Sequence, residues 1–251
     1  MSLDFSYETL HEKFTHLQLL EKQRKKTSLT PSSPWSIIDS QEPKNLSRNR
    51  YYDIVPYDKC RVKLIDQEND YINASYIFLP DGRKYIAAQG PLRSTVSHFW
   101  SMVWHELDDD GIILMLTKME EHGVEKCARY LPEEGQKTLM IPEISLRVEL
   151  VETKHEEQIK LEKNIIKLTK HIHHIYFKDW PDHSVPQNLH AGCGRTGTYI
   201  ILDYLISALS KLKDDSEKKK FILNHDKDLI FDMIDHIRKQ RMVMVQNSFT
   251  T

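Results

Sequence analysis

The unbroken apolar run Gly111-Ile-Ile-Leu-Met-Leu-Thr117 restricts the fold more than any other segment of this chain. A strand without polar alternation is buried on both faces, so the sheet that holds it needs helices on either side. Segments suited to both roles surround it. Residues 4–26 place Phe5, Leu10, Phe14, Leu17 and Leu20 at helical spacing, until Thr27-Ser-Leu-Thr-Pro-Ser-Ser-Pro34 breaks the pattern. His98 to Glu106, Thr198 to Lys211 and Lys227 to Gln240 also read as helices. Tyr71 to Ala88, interrupted by Pro80-Asp-Gly82, predicts a hairpin, and Ile144 to Glu152 and Ile165 to Phe177 predict two further strands. This order favours the α/β (α+β) class. A mixed sheet flanked by helices fills residues 35–251 as one domain, with residues 1–34 forming a helix and linker that pack on it.

Ala191-Gly-Cys-Gly-Arg-Thr-Gly197 runs straight into the apolar-periodic stretch that begins at Thr198. Small residues let backbone N–H groups turn inward, and a helix N-terminus adds partial positive charge. Arg195 offers a planar fork matched to two oxygens of an oxyanion. Taken by itself the segment is also compatible with a plain turn before a helix. Composition narrows the partners. At 251 residues, 39% hydrophobic and 29% charged, the chain can bury one sizeable core, and a net charge of −2 directs it to neither nucleic acid nor an anionic membrane. The basic runs Lys22 to Lys26 and Lys218 to Lys220 read as solvated faces. Cys60, Cys127 and Cys193 are odd in number and lack metal-ligand spacing, which implies a reducing compartment. No apolar stretch is long enough to span a bilayer, and the N-terminus lacks the layout of a secretory signal. The expected location is cytoplasmic, with access to the nucleus. His171-Ile-His-His174 offers a candidate metal site, since alternating histidines reach one ion from one strand face. No carboxylate or thiolate sits at ligand spacing, so the segment reads as a surface-facing strand and no metal is expected.

The Ala191–Gly197 segment resembles the second half of the phosphate-binding loop of the protein tyrosine phosphatases, His-Cys-Ser-Ala-Gly-x-Gly-Arg-Thr-Gly. Other segments between about residues 45 and 247 resemble the same family, in wording especially like its fungal members. Asn49-Arg-Tyr-Tyr-Asp-Ile-Val-Pro-Tyr-Asp58 is similar to the phosphotyrosine-recognition loop. That likeness implies that Tyr51 stacks on the substrate ring and Asp53 holds the substrate backbone. An aromatic wall gives a depth selectivity that phosphoserine is too short to use, although Tyr51 alone reads as an ordinary core aromatic. Asp70-Tyr-Ile-Asn-Ala-Ser75 and Gln89-Gly-Pro91 followed by Phe99-Trp100 match structural signatures. Glu120, or Glu121 if a one-residue insertion precedes it, matches the glutamate that orients the loop arginine. Trp180-Pro-Asp182 resembles the mobile acid loop. There Trp180 supports Asp182, which protonates the leaving tyrosyl oxygen and then activates water. Asp235 to Gln246 resembles the last helix and the glutamine loop, with Gln246 positioning the hydrolytic water. The loop residues Ala191, Gly192, Cys193 and Gly194 would join Arg195 in holding the phosphoryl oxygens, and Thr196 would stabilise the departing thiolate. The resemblance further implies a highly twisted mixed sheet, no cofactor and no metal. It implies a monomer acting on phosphotyrosine-containing proteins, phosphorylated kinases among them.

The first half of the phosphate loop departs from the pattern. Counting back from Arg195, the family's nucleophilic cysteine falls at Leu189 and its histidine at Asn188. Cys193 is no substitute, because one residue separates it from Arg195 where five are needed for the backbone to arc around a phosphoryl group. Only Gln187 to His190 lie between Pro186 and Ala191, whereas a crossover to a parallel strand takes about a dozen or more residues. Deleting a buried strand would expose apolar neighbours and unpaired backbone at a cost beyond the usual margin of about 5–15 kcal/mol. The expectation is therefore that residues are missing between about 186 and 191, the cysteine and its strand among them. Near 247–251, where Thr250 replaces the family's second glutamine, a further loss is expected. With the cysteine restored, the resemblance implies phosphotyrosine hydrolysis through a cysteinyl-phosphate. Without it, a catalytically inactive phosphotyrosine-binding pseudophosphatase or an unstable deletion product remains.

Overall fold

The N-terminal periodicity forms α1 (Tyr7–Lys26), with Glu8 in its first turn and Arg24, Lys25 and Lys26 in its last, each sign opposing the helix dipole at that end. The computed structural model describes residues 7–133, 135–153, 157–163, 168–177, 193–212, 214, 216–217, 221 and 228–246. After α1 come two single-turn helices, α2 (Ile38–Gln41) and α3 (Pro43–Leu46). Next is an antiparallel sheet ordered β1-β2-β3, from β1 (Arg61–Lys63), β2 (Tyr71–Phe78) and β3 (Lys84–Ala88). The predicted hairpin is β2–β3, and Gly82 takes φ +88° in its turn, a conformation a side chain would strain. Helix α4 (Val96–Glu106) follows.

A second sheet is ordered β4-β10-β9-β8-β7. It is built from β4 (Gly111–Met115), β7 (Thr138–Ile141), β8 (Leu146–Thr153), β9 (Glu157–Lys163) and β10 (Leu168–Tyr176). Among the described residues only β4 and β10 run parallel, Ile172 opposite Gly111 and Tyr176 opposite Met115. Between β4 and β7 lies a small hairpin, β5 (Glu120–Glu121) with β6 (Val124–Glu125). The chain continues as α5 (Gly194–Ser210) and α6 (Leu229–Arg238). Asp228 caps α6, its carboxylate accepting the Phe231 N–H at 3.0 Å.

Several sequence expectations about the fold need correction. Strand β9 was not foreseen, because its Glu- and Lys-rich wording carries little of the β-branched or aromatic signal of a strand. Strand β4 is the edge of the sheet among the described residues rather than its doubly covered centre, and Ile112 is 60% exposed. The histidine strand is not surface-facing throughout. Alternation along β10 leaves His171 exposed beside Asp109 but turns His174, 1% exposed, onto the Tyr130 hydroxyl at 2.6 Å. Burial lowers the His174 pKa to about 4, which keeps the imidazole neutral. Among the described residues no group of three His, Cys, Asp or Glu side chains could hold a metal ion, and no helix is long and apolar enough to cross a membrane.

The β2–β3 hairpin separates two cores by its period of two. Ile72 and Ala74 face a cluster of Phe99, Trp100, Val103 and Trp104 from α4 with Leu146, Val148 and Ile172 from the larger sheet. Ile77 and Ala87 face the other way. Their cluster joins Leu17 of α1, Ile54 to Tyr57, Ile200 and Ile201 of α5, Ile234 and Ile237 of α6, and Met242, Met244 and Val245.

Candidate active site

The cradle predicted at residues 191–197 is described from Cys193 onward. Cys193 is the N-cap of α5 and offers no side-chain cap; its carbonyl accepts the Gly197 N–H at 2.9 Å and the Val245 N–H at 3.3 Å. The first turn of α5 is thereby stitched to the 242–246 segment. Gly197 is required there, since a Cβ would stand 2.6 Å from the Val245 backbone nitrogen. Thr198 adds a hydroxyl bond to the Gly194 carbonyl at 3.2 Å. Thr196 is half-buried in the same turn.

Arg195 leaves the first turn of α5 toward β5. Its Nη1 donates to Glu121 Oε1 at 2.9 Å and to the Leu116 carbonyl at 3.1 Å. The arginine side chain is 16% exposed and the glutamate 5%. A guanidinium so enclosed keeps one orientation, because a charge-assisted bond between buried partners is costly to break. This resolves the choice between neighbours: Glu121, not Glu120, reaches the loop arginine. Alternation in β5 turns Glu121 inward and leaves Glu120 exposed.

Gln246 ends the described C-terminal segment and lies against the start of α5. A Cβ at Gly194 would stand 3.3 Å from Gln246 Cβ. Its amide Nε2 is buried and has no hydrogen-bond partner among the described residues. A donor left in that state costs about 1–3 kcal/mol, the signature of a group held for a ligand or water. The segment that presents it is strained. Val243 and Val245 take φ +61° and +54°, and β-branched residues in the left-handed region cost on the order of 1–3 kcal/mol each. Arg238 restrains them, donating to the Met244 carbonyl at 2.8 Å and the Val245 carbonyl at 2.6 Å.

The Cys193 thiol lies in the second core, where burial pushes its pKa up while the Arg241 guanidinium, hydrogen-bonded to it, pulls the other way. A protonated, enclosed thiol is inert. Neither the thiol nor the carbonyl of Cys193 is offered to a ligand, which corrects its expected place among substrate-contacting groups to at most its N–H. Arg241 itself is fully buried and donates to Asn73 Oδ1 at 2.9 Å and Ser75 Oγ at 3.2 Å. The sequence reading missed Arg238 and Arg241 as site residues. Their only signal was two arginines three apart amid apolar neighbours, at the end of a helix and just past it.

Tyr51 is half-buried against the second core, and Asp53, two residues on, is exposed. Asp182, Trp180, Ala191 and Gly192 lie outside the described residues, as does the join between Pro186 and Ala191.

Comparison with known proteins places this arrangement. The family described as protein-tyrosine phosphatase matches the chain in two stretches, residues 45–190 and 189–250. Tyrosine-protein phosphatase 2 of Schizosaccharomyces pombe is 34% identical over 275 residues, covering 97% of this chain and 38% of that protein. Tyrosine-protein phosphatase 1 of Saccharomyces cerevisiae is 32% identical over 297 residues, covering 93% of this chain and 88% of that protein. The solved structure of PTPN18 in complex with a HER2 phosphopeptide superimposes with a TM-score of 0.80 at 26% identity, covering 99% of this chain and 91% of that one. The chain thus spans well under half of the fission-yeast relative and most of the budding-yeast one. The family match takes in the Asn49–Asp58 segment, the Glu121–Arg195 pair and Gln246 alike, and this chain belongs to the protein-tyrosine phosphatase family.

Proposed function

We propose that the functional polypeptide hydrolyses phosphotyrosine in proteins, and that it carries, between about residues 186 and 191, a strand and a nucleophilic cysteine that the 251-residue sequence lacks. The observation that carries this reading is the Arg195–Glu121 pair. An arginine fork held at a helix N-terminus, with a buried glutamine amide packed against the same turn, is machinery for an oxyanion and a water. Two features support the missing segment. The family match runs up to residue 190 and resumes at 189, and an aligned length of 275 residues exceeds the 251 of this chain.

In this reading a cysteine thiolate, stabilised by the loop amides and Arg195, attacks phosphorus, and the P–O bond to tyrosine breaks. Asp182 gives its proton to the departing phenolate oxygen. Arg195 spreads its two N–H donors over the equatorial oxygens of a loose transition state. Water positioned by Gln246 and deprotonated by Asp182 then attacks the cysteinyl-phosphate, releasing phosphate and the thiolate, which Thr196 stabilises. Tyr51 and Asp53 hold the phosphotyrosyl segment of a protein substrate, phosphorylated kinases included. The protein works as a cytoplasmic monomer, with residues 1–34 packed as a helix and linker on the catalytic domain.

One observation favours a second reading. Leu189 stands where the nucleophile belongs, and a chain of this sequence would bind phosphotyrosine through Arg195, Tyr51 and Asp53 without cleaving it. The intact mass of the protein isolated from its source separates the two. A mass well above 29.6 kDa, together with hydrolysis of a phosphotyrosyl peptide that Asp182→Ala slows roughly 10²- to 10⁴-fold, is the expected result. Agreement with 29.6 kDa, and no hydrolysis, would leave the binding-only reading.

A further inference from the structure

We propose that Glu21 of α1 is a positioning residue for the Gln246 loop. It lies far from the cradle in sequence but directly behind the strained turn. Glu21 is 8% exposed, and its Oε1 accepts the Val243 N–H at 3.3 Å and the Tyr57 hydroxyl at 3.5 Å. Its Oε2 makes no hydrogen bond among the described residues and lies 4.0 Å from Arg24 Nη1. A carboxylate is seldom enclosed with one oxygen so poorly matched unless the other does something that an apolar side chain would not.

The main chain of the loop is held at three successive residues. Glu21 takes the N–H of Val243, while Arg238 donates to the carbonyls of Met244 and Val245. Val243 and Val245 are both left-handed, and such backbone persists only where its surroundings over-determine it. Helix α1 is itself fixed to α6. Arg24 hydrogen-bonds Asp235, and Lys13 pairs with Asp228 at 2.6 Å. Glu21 is therefore presented from a rigid element, and the direction of the Gln246 side chain follows from the turn it secures. The N-terminal helix thus belongs to the supporting structure of the site.

This inference rests on the hydrolysis role of Gln246, and that role makes its signature specific. Gln246 serves the second step only. In the full polypeptide carrying the cysteine, Glu21→Leu is expected to lower kcat roughly 10- to 100-fold through misplacement of the water. KM for p-nitrophenyl phosphate should fall in proportion, leaving kcat/KM unchanged, with a burst of nitrophenol near one equivalent per enzyme. Glu21→Gln, whose amide oxygen still accepts the Val243 N–H, should restore most of the turnover. An unchanged kcat in Glu21→Leu, or a kcat/KM that falls as far as kcat, overturns the proposal. A second readout needs no activity. In the same full polypeptide, Glu21→Leu should accelerate hydrogen exchange at the Val243 amide at least tenfold relative to the Ile234 amide in α6. Equal exchange at Val243 overturns the proposal. Failure of the full polypeptide to turn over at all would count against the phosphatase reading alone, since the exchange measurement still decides the role of Glu21.

Discussion

On one face of the β2–β3 hairpin Trp100 is fully buried among Phe99, Tyr130 and Ile172; on the other face Arg241 is equally buried, among Asn73, Ser75 and Cys193. The first core closes on apolar area, and its aromatic side chains bond to one another's polar atoms. Trp100 Nε1 donates to the Tyr130 carbonyl at 2.8 Å, and the Tyr130 hydroxyl meets His174. The second core encloses Glu21, Arg24, Arg238 and Arg241, together with two left-handed valines. Buried charges of that kind are weak contributors to stability and strong determinants of geometry, since each must satisfy its hydrogen bonds in one arrangement or lose them. The two sides of one hairpin thus divide the work. The Trp100 side holds the fold together, while the Arg241 side aims Gln246 and the first turn of α5.

The largest expected effect tests the first half of that division. Trp100→Ala should cost about 3–5 kcal/mol, read as a shift of the urea midpoint in a single transition. Two separate transitions would mean that the cores unfold independently. A pH effect follows from the same core. His174 and His98 both have pKa values lowered to about 4, by burial first and, for His98, also by Arg48. The unfolded chain takes up these protons near pH 6.5. Stability is therefore full above about pH 6.5 and falls as the pH drops toward 4, by about 3 kcal/mol for the enclosed His174 and by less for His98, which solvent partly screens. Urea titrations between pH 7 and 4.5 measure this slope, and His174→Gln should flatten it. Persistence of the full slope in that variant would remove His174 from the account.

Two smaller effects belong to the second core. Gly197→Ala drives a methyl group into the Val245 backbone and should destabilise by about 1–3 kcal/mol. It should also displace the Gln246 amide resonance in an NMR spectrum, while leaving that of Trp100 Nε1 in place. Movement of both signals would join the cores that the hairpin separates. Val243→Gly relieves the left-handed strain at φ +61° and should change stability by less than about 1 kcal/mol, because lost strain is offset by unfolded-state entropy. Its hydrogen exchange at residues 243–246 should nonetheless rise, and protection equal to the parent would show that the strain serves no positioning role.

Where the wording was strong and local, the sequence reading agreed with the structure. Pro80-Asp-Gly82 marked the hairpin, and helical periodicity located α1, α4, α5 and α6 to within a few residues at each end. Charge-rich β9 escaped because its residues advertise solvent rather than pairing. The Glu120–Glu121 ambiguity shows a different limit. A one-residue shift along a strand exchanges the buried face for the exposed one, and no local pattern chooses between two adjacent glutamates. The packing of Arg195 against β5 chooses.

Local wording alone, then, determined the helices and the hairpin, the arginine at the mouth of α5, the glutamine after α6 and the likeness to the phosphatases. Those features depend on residues a few positions apart, whose steric and hydrogen-bonding preferences act before any tertiary contact forms. Tertiary structure decided the partners. It paired Arg195 with Glu121, set Glu21 behind Val243 from 222 residues away, and enclosed Cys193 so that desolvation holds its thiol protonated. Burial and long-range hydrogen bonding are properties of the assembled surfaces, and spacing along the chain does not encode which distant side chain will complete them.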